Sequence, residues 1–155
     1  MMEKVKTVIT YGTFDMFHIG HLRLLQRMNE IGEKVIVAVS TDEFNALKGK
    51  KALVSYEERR QIVEAIQYVD LVIPENSWEQ KADDIRQHGV DYFVMGNDWQ
   101  GHFDHLAELC GVVYLERTRD VSSTELRQAV GKLLSSESDI VSALHVLKML
   151  QYDLD

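Results

Sequence analysis

The chain has 155 residues, enough for one domain with a substantial core and too few for two ordinary ones. Seventeen Lys and Arg against twenty-five Asp and Glu give a formal net charge of −8, which argues against a surface built to neutralise nucleic-acid phosphates. The single cysteine, Cys110, rules out an internal disulfide, and no Cys/His spacing reads as a structural zinc site. Residues 1–10 lack the apolar centre of a signal peptide, and no apolar run approaches the roughly 20 residues of a membrane helix, so a soluble, cytoplasmic protein is expected.

Val5 to Tyr11 reads as the first strand, followed by the turn Gly12-Thr13-Phe14-Asp15 and then His18-Ile19-Gly20-His21 in the opening turn of a helix. The three-residue spacing puts both imidazoles on one helix face, beside the backbone amides that a helix start leaves unpaired. Those amides and the helix dipole favour an anion, Gly20 permits close approach, and imidazoles can donate to phosphate oxygens, so the segment is expected to cradle a nucleotide. Taken alone, without the surrounding motif, the pair reads as capping or surface histidines. A metal reading lacks a third ligand at suitable spacing.

Lys34 to Ser40 is the second strand, and beyond it the basic run Lys48-Gly49-Lys50-Lys51 precedes Ser55-x-x-Glu58, a capping-box pattern. Leu71 to Ile73 forms the third strand, with Pro74 after it. Ser77-x-x-Gln80 is a second box, and Gly89 marks a helix stop, as Gly32 and Gly111 are also expected to do. Asp91 to Met95 and Val112 to Leu115 complete five strands. The segment Arg117 to Thr124 then opens another helix, with Ser122-x-x-Glu125 as its box; a capped start of this kind still offers amides to phosphates. The strands are nearly continuous in Val, Ile, Leu and Phe, as a sheet covered on both faces requires. The expected fold is α/β, a Rossmann-like doubly wound parallel five-stranded sheet with helices on both faces plus a C-terminal helix. In such sheets ligands lie at the carboxyl ends of the strands, where chain order reverses.

Residues 1–134 are read as the main domain and 135–155 as a helical extension. The extension has Ile140, Ala143, Leu144, Leu147 and Leu150 on one face. That face either packs back on the domain or joins two copies; a homodimer is the assembly carried forward.

Gly12-Thr13-Phe14-Asp15-x-x-His18-x-Gly20-His21 resembles the signature of the His-x-Gly-His nucleotidyltransferases, and within them the cytidylyltransferases. Further segments, in order, are similar to the glycerol-3-phosphate cytidylyltransferases: Ser40-Thr41-Asp42-Glu43-Phe44-Asn45, Ser55-Tyr56-Glu57, Tyr68-Val69-Asp70, Val72-Ile73-Pro74-Glu75, Trp78-Glu79-Gln80-Lys81, Met95-Gly96-Asn97-Asp98-Trp99 and Arg117-Thr118. The likeness runs from about Val8 to Leu133. It implies transfer of CMP from CTP to sn-glycerol 3-phosphate, giving CDP-glycerol and pyrophosphate by direct in-line attack, with Mg²⁺, for cell-surface polymer or lipid precursors.

A phosphate monoester has a second pKa of about 6, so the attacking group is mostly dianionic at neutral pH and needs no strong general base. The catalyst must instead position two anions and supply charge where it builds up. His18 and His21 are therefore assigned to the α-phosphate and the departing pyrophosphate, with no covalent intermediate. The resemblance implies that Lys50 and Arg117 serve CTP, that Lys48 holds the glycerol phosphate and that Lys81 lies on the acceptor side; Arg59 is a further substrate ligand. Thr13, Phe14, Asp15, Gly20, Thr118, Ser122, Ser123 and Thr124 complete the nucleotide site. Asp15 contacts the metal, orders the histidine loop, or merely serves the turn. The metal ligands are not assigned.

The chain departs from the family pattern at Asp120 and Val121, where glycine and isoleucine are usual, at Gln67, where arginine is usual, and at Asn97, where aspartate is common. These departures leave room for another acceptor, such as phosphocholine, phosphoethanolamine, or a sugar or polyol phosphate, for ATP as donor, or for a non-catalytic nucleotide-binding module.

Overall fold

A computed structural model describes residues 5–116 together with Gln128, Val141, Leu144 and His145. The chain divides into two compact units, Met1–Asp120 and Val121–Asp155. In the second, the four described residues are helical and exposed. The expected boundary at 134 and most of the expected apolar face fall outside the described residues.

The first unit contains five strands, β1 (Thr7–Gly12), β2 (Lys34–Ser40), β3 (Leu71–Glu75), β4 (Tyr92–Gly96) and β5 (Gly111–Leu115). Its helices are α1 (Ile19–Ile31), α2 (Asp42–Leu47), α3 (Tyr56–Glu64) and α4 (Gln80–His88), with short 3₁₀ turns at Asn97–Trp99 and Asp104–Glu108. The strands lie in the order β3-β2-β1-β4-β5, and every neighbouring pair is parallel. This is the α/β Rossmann-like sheet that the apolar runs imply.

Successive side chains of a strand point to opposite faces, and here both faces are covered. Val8, Val35, Val37 and Val39 pack with Leu25 and Met28 of α1 and Val63 of α3. Ile9, Ile36, Ala38 and Phe93 pack on the other face with Ile85 of α4 and with Phe103 and Leu106. Each fully buried Val, Ile, Leu, Phe or Met side chain contributes roughly 1.5–3 kcal/mol, which explains why the strands read as apolar runs without alternation.

Some boundaries differ from the sequence reading. Pro74 lies inside β3, opposite Val39, where it was expected to follow the strand. An edge strand tolerates the missing N–H, and β3 is at the edge. Gly89 is the left-handed C-cap of α4, with φ 59°. Gly111 instead opens β5, where a Cβ would come 2.5 Å from Tyr92 Cδ1. Ser55 caps α3 by accepting from the Glu58 amide. Ser77 does not cap α4; the Gln80 side chain accepts from the Asn76 and Ser77 amides in its place.

From β1 the chain runs outward through β2 and β3, then returns by α4 to β4 on the other flank of β1. Chain order thus reverses at β1, and the crevice of the fold opens at the carboxyl ends of β1 and β4.

Candidate active site

The loop after β1 is held in a strained form by its own packing. Phe14 and Met16 have positive φ, 53° and 48°, which for non-glycine residues costs of order 1–3 kcal/mol each. The Phe14 ring is buried against β1, so closely that a Cβ on Gly12 would meet its Cε2 at 2.9 Å. It also lies 5.2 Å from the ring of His21. Asp15 is buried, and its two carboxylate oxygens accept from the backbone amides of Leu53 (2.9 Å) and Val54 (3.0 Å). Asp15 therefore orders the histidine loop and ties it to the segment before α3.

His18 is the N-cap of α1 and His21 its third residue. His18 Nδ1 accepts from the Gly20 amide (3.0 Å) while His21 Nδ1 accepts from the His18 amide (3.2 Å), a reciprocal capping box made of imidazoles. The rings stack with centroids 3.9 Å apart. In a neutral imidazole only one nitrogen carries the proton, so this network makes Nε2 the donor of each neutral ring. Capping by the two Nδ1 atoms thus leaves both Nε2 atoms out of the cap network. The Gly20 amide, expected to be unpaired at the helix start, is engaged by His18. Burial pushes the His21 pKa down to about 4; neighbouring His18 acts in the same direction and Asp15 opposes it. At neutral pH His21 is an uncharged donor.

Two lysines are held at the carboxyl ends of β2 and β3. Lys48 closes α2 and donates from Nζ to Ser40 Oγ at 3.2 Å, with the rings of Phe44 and Trp78 at 4.4 and 5.4 Å. It is half-buried, and desolvation lowers its pKa. Lys81, near the start of α4, is buried and donates to Glu75 Oε2 at 2.9 Å beneath the rings of Tyr11 (4.6 Å) and Trp78 (4.8 Å). A cavity of about 440 Å³ opens there, walled by Trp78, Lys81, Trp99, His102, Phe103 and His105. Lys50 is exposed on the turn made by Gly49, whose φ is 71°.

Arg59 is placed differently from a substrate ligand. It is 1 % exposed, and its guanidinium donates to the carbonyls of Val54, Thr13 and Ser40 and to Asp42 Oδ1 at 2.7–2.9 Å. It clasps the ends of β1 and β2 from α3. The Tyr56 amide, helped by the Arg59 hydrogen bond, holds the Asp42 carboxyl below its usual range.

Arg117, Thr118, Ser122, Ser123, Thr124 and Asp120 lie outside the described residues. Gln67 is exposed in the turn after α3, and Asn97 begins the 3₁₀ turn after β4. Among the described residues no group of three or more His, Cys, Asp or Glu side chains could hold a metal ion, and no helix is long and apolar enough to cross a membrane.

Sequence reasoning gave no role to Glu75, Ser40 or Asn45. Glu75 neutralises Lys81; Ser40 and Asn45 link Lys48 to Thr13, whose Oγ1 is 3.3 Å from Asn45 Oδ1. The available signal was a polar residue ending an otherwise apolar strand, as Ser40 ends β2 and Glu75 ends β3.

Residues 9–129 match the family described as cytidylyltransferase-like. The chain is 54% identical over 129 residues to the glycerol-3-phosphate cytidylyltransferase of Bacillus subtilis (strain 168), covering 83% of this chain and 100% of that protein. It is 54% identical over 124 residues to the glycerol-3-phosphate cytidylyltransferase of Staphylococcus aureus (strain NCTC 8325 / PS 47), covering 80% and 94%. Among solved structures, the lipopolysaccharide core biosynthesis protein of Thermoplasma volcanium GSS1 shares the fold at TM-score 0.63 and 19% identity, covering 74% of this chain and 99% of that one.

Proposed function

The chain belongs to the cytidylyltransferase-like family, and on that premise we propose that it transfers CMP from CTP to sn-glycerol 3-phosphate. A phosphate oxygen of the acceptor attacks the α-phosphorus of CTP in line. The bond from that phosphorus to the bridging oxygen breaks, and pyrophosphate leaves with CDP-glycerol formed. The observation that carries this reading is the imidazole pair capping α1 at the point where chain order reverses, with Lys48 held at the carboxyl end of the neighbouring β2.

His18 and His21 donate from Nε2 to oxygens of the α-phosphate and the leaving group, where charge grows in the transition state. Because His21 is neutral, this is hydrogen bonding from a fixed frame, with no proton transfer required. Lys50 and Arg117 serve the triphosphate, with amides and hydroxyls of Thr118, Ser122, Ser123 and Thr124. Lys48 and Lys81 serve the acceptor. The charge of Lys81 is largely offset by Glu75, so Lys48 is the cation that meets the acceptor phosphate. Arg59 and Asp15 hold the frame. Mg²⁺ fits as an ion brought in on the triphosphate with its waters, a common mode for this cation; it would neutralise charge on the phosphates. The reading also carries a homodimer and a cytoplasmic location.

The test is pyrophosphate release with Mg²⁺, offering CTP or ATP against glycerol 3-phosphate, phosphocholine, phosphoethanolamine and a sugar phosphate. Turnover with CTP and glycerol 3-phosphate is expected. Release only with another acceptor or donor reassigns the substrate, and nucleotide binding without release defeats the enzymatic reading.

A further inference from the structure

We propose that Ser40 and Asn45 are positioning residues that aim the Lys48 ammonium at the acceptor's phosphate, an inference that rests on the acceptor reading above. Ser40 ends β2 and is 0 % exposed; Asn45 lies in α2 and is 1 % exposed. A hydroxyl has one proton and two lone pairs. The Ser40 proton goes to Asn45 Oδ1 at 2.7 Å, which leaves a lone pair of the same oxygen for Lys48 Nζ at 3.2 Å. Without that acceptor the hydroxyl could turn its proton toward the ammonium and repel it.

The same Asn45 oxygen accepts from Thr13 Oγ1 at 3.3 Å, so one buried carbonyl joins the nucleotide loop to the lysine. Among the described residues, Asn45 Nδ2 is buried with no partner. An orphaned buried donor costs stability, so the side chain is poorly explained as a stabilising element and well explained by what its oxygen orients. The charged groups acting on Lys48 are Glu75, which favours its ammonium, and Lys50, Lys81 and Arg59, which oppose it. Burial also disfavours the charge, and the Ser40 lone pair with the Phe44 and Trp78 rings offsets this.

The test uses full-length Ser40→Ala, Ser40→Thr and Asn45→Ala proteins. Removing a hydrogen bond to a charged group should raise KM for glycerol 3-phosphate about tenfold in Ser40→Ala while KM for CTP stays within about twofold. Ser40→Thr, which keeps the hydroxyl, should restore it. In substrate-free protein labelled at lysine, NMR should show Lys48 titrating at lower pH in Ser40→Ala than in wild type. Asn45→Ala should reproduce the Ser40→Ala shifts; if it does not fold, the two Ser40 variants decide. An unchanged acceptor KM and Lys48 titration in Ser40→Ala, or an equal defect in Ser40→Thr, overturns the proposal. If wild type releases no pyrophosphate from CTP and glycerol 3-phosphate, the acceptor reading fails instead, and the Lys48 titration still tests the positioning.

Discussion

The two walls of the crevice are built in opposite ways. On the histidine side, the cap, the stacked rings and the loop that carries them all come from Gly12 to His21, within one stretch of chain. The lysine side draws Lys48 from the end of α2, Lys81 from α4, Glu75 from β3 and aromatic walls from three further segments. One wall presents stacked imidazoles, of which His21 is a neutral donor; the other presents partly desolvated cations, one already paired. Chemistry that must steady a developing charge on phosphorus suits the first, and recognition of a small anion suits the second.

The sharpest way to separate the walls is to remove an imidazole. His18→Ala or His21→Ala should lower kcat by about 10²–10³, the usual effect of deleting a transition-state donor, with only about 1 kcal/mol of stability lost from the cap. Steady-state pyrophosphate release and thermal unfolding check both halves; a loss confined to KM for the acceptor would merge the walls into one function.

Next is the clasp that holds the walls in register. Arg59→Met should cost about 3 kcal/mol, because three carbonyls lose a buried donor and the exposed Asp42 loses its ion pair. Urea unfolding reports it, and an effect below about 1 kcal/mol would mean that the loops are held otherwise.

Acid should act on the histidine wall first. The folded-state pKa of His21 is lowered from its usual value to about 4, so the unfolded chain binds the proton first and stability falls as pH drops through the window from about 6.5 to 4. Between pH 7 and 5 this amounts to about 2 kcal/mol. Subtracting the same pH series for His21→Asn, which does not titrate there, isolates it; parallel curves would refute the lowered pKa.

The smallest change expected is Gly12→Ala, at about 1–2 kcal/mol, since the new Cβ forces the Phe14 ring to shift. Turnover should fall with it because that ring backs His21. A variant with wild-type kcat would show that the imidazoles do not depend on Phe14.

Legibility followed the same division. The five strands were readable because a sheet buried on both faces needs unbroken apolar runs, and Val35 to Val39 supply one. Pro74 and Gly111 misled at boundaries because edge position and the nearness of Tyr92 are properties of neighbours in space. Arg59 looked like a substrate ligand because an arginine near a basic run carries no local mark of burial. Its four partners lie 5 to 46 residues away.

By itself, the sequence determined the sheet, the family and the placing of both histidines at the start of a helix, since periodicity, motif order and an i,i+3 spacing are all local quantities. Only the tertiary structure decided that the Lys81 charge is paired with Glu75 and that Arg59 is a buried clasp. Those outcomes depend on desolvation and on hydrogen bonds between segments far apart in the chain, and neither exists until the strands have brought their carboxyl ends together.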